Sequence, residues 1–299
     1  MNSLTIATCL AYPTPSEDIK TLAKTLNGIG IECEVLPWQK VQKSDAILPL
    51  AAWDYASVPV QFRQWIKQLA QQGSCFINSP ELMLWNMHKS YLCDLQTQGI
   101  QVIPTVHLTA EPLRIRQTID RQGWRDVVFK PAIGQSGTAV VKYRQGEPLP
   151  DLSPYAQGLI IQPYIAEVAT NGETSLIFFN GEFSHAVRRQ PKAGDFRANS
   201  AYGVTVNSIA PPTQIIWLAR QVLAALPDMP VYARIDGTVI DDDFLLNELE
   251  LIEPALYLHT DAQATRRFAE VLRLGNLPAL TNISNRTKSG IGKYTECVK

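Results

Sequence analysis

Three acidic residues, Asp236, Glu248 and Glu250, have the types and spacing that most directly suggest chemistry. The last two lie in FLLNELELIEP, residues 244–254, an otherwise apolar stretch that also carries Glu253. Side chains alternate faces along a strand, so Glu248 and Glu250 share one side while Leu249 and Leu251 share the other. VYARIDGTVI (231–240) precedes it, and the intervening DDD (241–243) suits a three-residue hairpin loop. That loop sets Asp236 opposite Glu248 and Arg234 opposite Glu250, all on one face. Carboxylates so close together are favourable only with a cation between them. Oxygen ligands without His or Cys suit Mg²⁺, or Mn²⁺, with phosphate oxygens and waters completing the shell. The plainer reading is a solvent-facing hairpin with a cross-strand Arg–Glu pair.

A second group lies in VVFKPAIGQSGTAVVKY (127–143), where Lys130 precedes Gly134 and Gly137. It lacks the spacing of a phosphate loop and opens no helix. Strand, flexible loop, strand is its pattern, and such a loop can fold over a polyphosphate. Backbone N–H groups and the Ser136 and Thr138 hydroxyls would meet the phosphate oxygens, with Lys130 as a point charge. A simple glycine hairpin fits the same pattern. Lys89, in NMHKSYL, stands where a helix should start and offers a second cation, unless it is an ordinary exposed lysine. LIIQPYIAEVATNGE ends a strand at Gln162, Pro163, Tyr164 and Ile165, then opens into a connector. That junction can present main-chain groups to a base edge, with Glu167 or Glu173 taking ribose hydroxyls; it also reads as a bare crossing between subdomains. RRQPKAGDFRANSAYG (188–203) is a long polar segment with Arg188, Arg189, Lys192 and Arg197. Loops of this length often act as lids, and arginines suit carboxylate or phosphate. His88, His107, His185 and His259 show no metal-ligand spacing; His185 could serve substrate contact or packing.

The elements that would position these groups change character along the chain. Residues 4–80 alternate strand and helix: LTIATCL, EDIKTLAKTLNG, IECEVLP, DAILPL, FRQWIKQLAQQG and CFINSP. Such alternation implies an open parallel α/β sheet. A helix follows in HKSYLCDLQTQG, then a strand in IQVIPT. Beyond it, DVVFKPA, TAVVKY, GLIIQPYI, SLIFFNGEFSHAVRR and the 231–254 hairpin read as antiparallel sheet, with helices in QIIWLARQVLAAL and AQATRRFAEVL. The fold class expected is therefore α/β with α+β character in the C-terminal half. Residues 276–299 lose periodicity and read as a tail.

With 299 residues, 45% hydrophobic and 18% charged, the chain has the composition of a soluble globular protein. A net charge of −1 argues against a nucleic-acid or polyanion partner. No signal-peptide pattern and no long apolar run is found, so a cytoplasmic, non-membrane location is expected. Five scattered cysteines in no metal spacing point to neither disulfides nor structural zinc.

In order, these parts resemble the ATP-grasp superfamily: a lysine before a strand, a lysine before a glycine loop, a hinge, a basic loop, and RID…NELELIEP in place of the family's R-x-D…E-x-N/E metal site. Glutathione synthetase and D-alanine–D-alanine ligase share this layout, usually with Asn where this chain has Glu250. WDY (53–55), WNMHKSYLCDL (85–95), GETSLIFFNGEFSHAV (172–187), GDFR (194–197) and ELELIEPALYL (248–258) are similar to the cycloserine-biosynthesis cyclo-ligase subgroup. Leu50-Ala51-Ala52 stands where those relatives commonly carry Arg-Ser-Thr, and AYGV (201–204) where a glycine pair often follows the tyrosine. The resemblance implies a unit over 1–85, a central ATP-grasp subdomain over 86–165 and a C-terminal one over 166–275, the last two clasping ATP. It implies Mg²⁺ on Asp236, Glu248 and Glu250, phosphates near Lys89 and Lys130, Arg234 beside the transferred phosphoryl group, and Arg189 or Arg197 gripping it or a substrate carboxylate. The activity implied is ATP-dependent joining of small carboxylate and amine substrates, linear or cyclising, through an acyl phosphate. A phosphotransferase and a nucleotide sensor are the alternatives, and a homodimer is allowed.

Overall fold

The computed structural model describes residues 3–273. Its first unit comprises β1 (Ser3–Thr8), α1 (Glu17–Gly28), β2 (Glu32–Pro37), β3 (Ala46–Leu48), α2 (Pro59–Gln71) and β4 (Cys75–Phe76). These strands form a parallel sheet ordered β2-β1-β3-β4. Sequence periodicity explains the helices well. In α1, Ser16 caps the start by accepting from the Ile19 N–H, Glu17 and Asp18 face the positive end, and Ile19, Leu22, Ala23 and Leu26 make one buried stripe.

Two short helices follow, α3 (Pro80–Asn86) and α4 (Tyr91–Thr97). A second sheet, antiparallel throughout, is built from β5 (Val106–Leu108), β6 (Asp126–Pro131), β7 (Val141–Arg144) and β8 (Leu159–Pro163), with α5 (Pro112–Gln122) between β5 and β6. Its order is β5-β8-β6-β7. The third sheet follows α6 (Ala166–Asn171) and contains β9 (Glu173–Phe179), β10 (Glu182–Gln190), β11 (Thr205–Ile209), β12 (Tyr232–Ile240) and β13 (Asp243–Glu250). Its order is β11-β10-β9-β12-β13, with α7 (Thr213–Ala224) and α8 (Ala264–Arg273) packed on it.

Period two decides what each face of the third sheet does. Ala233 and Ile235 of β12 face a core made with Ile215, Ala219 and Val222 of α7 and with Leu246, Leu249 and Leu251. Arg234 and Asp236 therefore point the other way. Phe179 and Tyr232 join a different core, with Phe268 of α8 and with Leu22 and Leu26 of α1, which ties this sheet to the first unit.

The structure departs from the sequence reading in four ways. IQVIPT is not a strand; residues 101–103 run irregularly beside β13, linked by Ile103 N–H to Leu246 O and Leu246 N–H to Gln101 O, each 2.9 Å. The short helices α3, α5 and α6 and the strand β11 were not expected, because none is long and strongly periodic; α5 has only Ile115, Thr118 and Ile119 buried. Arg188 and Arg189 belong to β10 rather than to the basic loop. The fourth concerns the hairpin. Its loop has two residues, Asp241 and Asp242, both with positive φ (47° and 67°), as in a type I′ turn. Ile240 pairs with Asp243, and a bulge beside Asp236/Gly237 then inserts Asn247. The bulge shifts the register by one, so Arg234 does pair with Glu250 and Asp236 with Glu248. Without it, Glu248 would fall on the face that buries Leu246. The tail expected over 276–299 lies outside the described residues.

Gly237 sits at the bulge, where an added Cβ would meet Phe244 Cζ at 2.5 Å and Leu245 O at 2.6 Å. The second contact is main chain and cannot swing aside. Gly237→Ala should therefore lower stability by about 1–3 kcal/mol through overpacking. Urea denaturation of the variant beside the parent checks this; an unchanged midpoint would disprove the constraint.

Candidate functional site

Between the second and third sheets lies a cleft whose space, with the open solvent at its mouth, is about 790 Å³. Lys130 reaches it from β6, Gln162 from β8, Glu173 and Arg189 from β9 and β10, and Glu248 from β13. Lys89 enters just ahead of α4, its N–H donating to Ala132 O at 2.7 Å. The loop with Gly134, Ser136, Gly137 and Thr138 lines one side. Its Ser136 and Ala139 have positive φ (54° and 55°), as has Gly137 (71°). A Cβ on Gly137 would stand 2.8 Å from Asn199 Oδ1 and 2.9 Å from Tyr202, so glycine is required both for conformation and for approach. Tyr202 donates its hydroxyl to Gly137 O at 3.1 Å, closing the basic loop onto the glycine loop.

At one end the lining is apolar, with Ile103, Val128, Val140 and Val168 beside Tyr164 and Ile165. The other end is charged. Lys89 Nζ donates to Glu248 Oε1 at 2.5 Å and to Gly134 O at 2.8 Å. Lys130 Nζ donates to Asn247 Oδ1 at 2.6 Å, and Asn247 Nδ2 donates to Glu173. Arg189 Nη2 bridges Glu173 (2.5 Å) and Asp236 (2.8 Å), while its buried Nε has no partner among the described residues. Arg234 continues the chain, bonding Asp236 through Nε and Nη2 and Glu250 through Nη2.

Burial dominates the titration of these groups, and their neighbours decide its outcome. Burial would raise Asp236, but Arg189 and Arg234 outweigh it and hold the carboxyl below its usual range. Glu248 is likewise held down, against burial, by Lys89 and Lys130. Glu250 goes the other way: burial, only partly offset by Arg234 and reinforced by Asp236 and Glu248, pushes it up to about 7. Burial lowers Lys130, with partial recovery from Glu248 and Glu173.

Of the expected residues, Lys89, Lys130, Gly134, Ser136, Gly137, Thr138, Gln162, Tyr164, Ile165, Glu173, Arg189, Arg197 and Glu248 all line this cleft. Arg234, Asp236 and Glu250 do not. Arg234 is 4% exposed and spent on two carboxylates, so its guanidinium does not face the cleft. Glu173, expected at a ribose, is committed to Arg189 and Asn247. Arg197 is paired with Asp195 at 2.8 Å and lies 3.6 Å over the Tyr202 ring. His185 bonds Leu256 O at 2.8 Å and packs in the core. Asn247 was missed, since only the bulge turns it to the same side as Glu248. Three carboxylates and an amide oxygen, with no imidazole or thiolate, suit a hard divalent cation. As the side chains stand, among the described residues no three His, Cys, Asp or Glu gather to ligate a metal by themselves. Magnesium sites of one or two carboxylates completed by phosphate oxygens need no such cage, so the donor chemistry fits.

Comparison with known proteins places the chain. Residues 93–255, more than half of it, match the prokaryotic glutathione synthetase ATP-grasp domain. The chain belongs to the ATP-grasp family. Residues 4–78 match the N-terminal domain of the D-cycloserine synthetase DcsG. The cycloserine biosynthesis protein DcsG of Streptomyces lavendulae is 27% identical over 281 residues, covering 85% of this chain and 92% of that protein. A crystal structure of D-cycloserine synthetase DcsG superposes with a TM-score of 0.77 at 25% identity, covering 90% of this chain and 98% of the other. Glutathione synthetase of Thermosynechococcus vestitus is 30% identical over 138 residues, 44% of this chain and 41% of that protein. The ATP-grasp fold expected from sequence is thus present, and the chain is an enzyme of the ATP-grasp ligase kind. Among the described residues, no helix is long and apolar enough to cross a membrane.

The raised pKa of Glu250 has a measurable consequence. Between its ordinary 4.5 and about 7, native Glu250 holds a proton that the unfolded chain has lost, so its contribution to stability falls as pH rises through that window. Glu250→Gln, neutral throughout, should be more stable than the parent at pH 7 by about 1–3 kcal/mol without nucleotide or metal. Denaturation at about pH 5 and pH 7.5 checks it; a variant gap that does not widen with pH would refute the assignment.

Proposed function

We propose that this ATP-grasp enzyme activates a small carboxylic acid with ATP and joins it to an amine on the same or a second amino-acid-like molecule, releasing ADP and phosphate. The observation that carries the reading is the convergence of Lys89, Lys130 and Arg189 at the charged end of a cleft whose other end is apolar and whose glycine loop is latched by Tyr202. A purine suits the apolar end, with main-chain groups of 163–165 along its edge, and the triphosphate suits the lysines. Division into units over 1–85, 86–165 and 166–275 accords with the three sheets and belongs to the same proposal.

In this reading the substrate carboxylate attacks the γ-phosphorus in line, forming an acyl phosphate, and the amine then displaces phosphate through a tetrahedral oxyanion. No protein nucleophile is needed; the residues position and neutralise. Lys130 and Lys89 balance the phosphate charge as it shifts to the leaving ADP. Arg189, with one N–H unspent, has a donor left for the transferred group. Arg234 positions Asp236 and Glu250. Glu248, Glu250 and Asp236 would hold magnesium, or manganese, which supplies charge neutralisation across the phosphates. Closure of the loop around Phe196, Arg197 and Asn199 keeps water from the acyl phosphate.

Hydroxylamine trapping tests the chemistry. With ATP, magnesium and its acid substrate, found by screening D- and L-amino acids and small dicarboxylates for ADP release, the enzyme should yield a hydroxamate. A stable phosphorylated product would instead make it a phosphotransferase, and nucleotide binding without either product a sensor. Lys130→Met should lower kcat/KM for ATP by about 10²–10³-fold, the scale of losing a charge-stabilising donor, and Glu248→Gln should abolish turnover. Full activity in the glutamine variant would remove the metal assignment.

A further inference from the structure

Each of the three sheets is open, with two edges, and an open edge is a row of idle N–H and C=O groups that invites another strand. Among the described residues, five of these six edges are blunted. β4 and β5 are only two and three residues long. β2 carries Glu32 and Glu34 and ends at Pro37, and β7 carries Lys142 and Arg144; charge and proline both deter pairing. β13 is bonded along its length by Asn86, Tyr91 and the main chain of 101–103. The sixth edge, β11, has no such guard. Its five residues, Thr205-Val206-Asn207-Ser208-Ile209, contain no charge and no proline, and they pair with β10 in unbroken register from Gln190↔Thr205 to Ala186↔Ile209. Pro211 and Pro212 come only after the strand has ended. Beyond β10, no main-chain group of β11 is bonded within the described residues.

The side chains on this edge decide what can cover it. Strand addition by a foreign peptide draws affinity from the main chain but specificity from pockets for alternate side chains. Thr205, Asn207 and Ser208 are exposed and short, and neither the cleft nor the recess beside it takes a lining residue from β11. The strand does suit its own copy. Laid antiparallel about Asn207, two such strands set Thr205 opposite Ile209, Val206 opposite Ser208, and Asn207 opposite its twin. No charge meets a like charge, and the facing amides can bond each other. Arg188, beside Asn207 on β10, would stand three strand spacings from its twin, about 14 Å. That exceeds the screening length of about 8 Å at physiological salt, so the two cations do not oppose the pairing. Val206 and Ile209, half-buried against the cores on opposite faces of the sheet, would each gain cover.

We propose that two copies of this chain pair through β11, antiparallel about Asn207, joining two five-stranded sheets into one of ten strands. The basic loop that brings Phe196, Arg197 and Asn199 to the cleft runs directly into β11. Pairing therefore fixes the strand to which that loop returns, and assembly steadies one stem of the loop in both copies. The proposal goes beyond the ligase reading and does not depend on it.

Sedimentation of the full chain over a range of concentrations tests it. The parent should associate to a dimer, and Asn207→Lys, which sets two cations face to face at the axis, should raise the dimer dissociation constant at least about tenfold. Asn207→Ser, neutral and small, should leave it within about threefold. Affinity for a non-hydrolysable ATP analogue, measured on each variant, reports folding. Should the lysine variant not fold, Asn207→Cys should form an intermolecular disulfide on mild oxidation. Thr205→Cys should form none, because its twin lies about 13 Å away along the strands; the parent, oxidised alongside, accounts for the native cysteines. A parent that stays monomeric, a dimer that Asn207→Lys leaves intact, or equal cross-linking at 205 and 207 overturns the proposal. A monomer that instead takes up an extended peptide at this edge overturns it too. Failure of the ligase reading shows elsewhere, as absence of hydroxamate and of ADP release, with the dimer unaffected.

Discussion

The strand that carries Asn247, Glu248 and Glu250 lies at the edge of its sheet, with no strand beyond it among the described residues. An open edge leaves main-chain N–H and C=O groups unpaired at every second residue and lets the strand fray or slip. Here the groups are taken one after another. Leu246 bonds Gln101 and Ile103, Leu249 N–H and O bond the Tyr91 hydroxyl at 2.9 and 3.0 Å, and Asn86 spans Leu249 O (2.8 Å) and Leu251 N–H (3.0 Å). Asn78 completes the row, donating to Leu251 O and Tyr232 O and accepting from Val231 N–H. At about 0.5–1.5 kcal/mol each these bonds are individually modest. Together they fix the strand without a neighbour. Because Lys89 lies between Asn86 and Tyr91, the same pins set the lysine against Glu248.

On that fixed backbone runs an alternating row of charge: Glu173, Arg189, Asp236, Arg234, Glu250. Burying so many charges is costly, and replacing such networks with apolar side chains is often neutral or better for stability. The gain is in placement. Each guanidinium holds two carboxylates, so none can turn without unpairing another, and Lys130, Asn247 and Glu248 stand at the border of this lattice. Donors held in advance need no reorganisation when charge shifts between phosphate oxygens. A site built this way trades stability for readiness, and the elevated Glu250 is where the trade shows.

What the sequence made legible follows the same physics. The helices α1, α2, α7 and α8 could be read because their apolar stripes are long and regular, and the parallel first sheet because strands alternate with helices. The facing of Asp236 with Glu248 was also read, but through two compensating errors: the loop is one residue shorter than supposed, and a bulge restores the register. No local propensity announces a bulge; Gly237, pressed against Leu245 O, was its nearest trace. Asn247 went unseen for the same reason. Arg234 was placed at the phosphates because residue type suggests partners but not whether they are already taken.

The matches divide along the molecule in a way that bears on specificity. Residues 4–78 match the DcsG N-terminal domain, whereas the glutathione synthetase ATP-grasp domain matches residues 93–255. The cleft between the second and third sheets takes no lining residue from the first unit. A smaller recess beside it does: Tyr55 in its wall comes from the turn after β3, at the carboxyl end of a parallel sheet, where open α/β sheets commonly place ligands. Leu50, Ala51 and Ala52, just upstream, are small, apolar and buried, and add no charge to that side. An arginine in this stretch would bring a positive charge to that side without touching the lining of the larger cleft, so the first unit can vary independently of the other two.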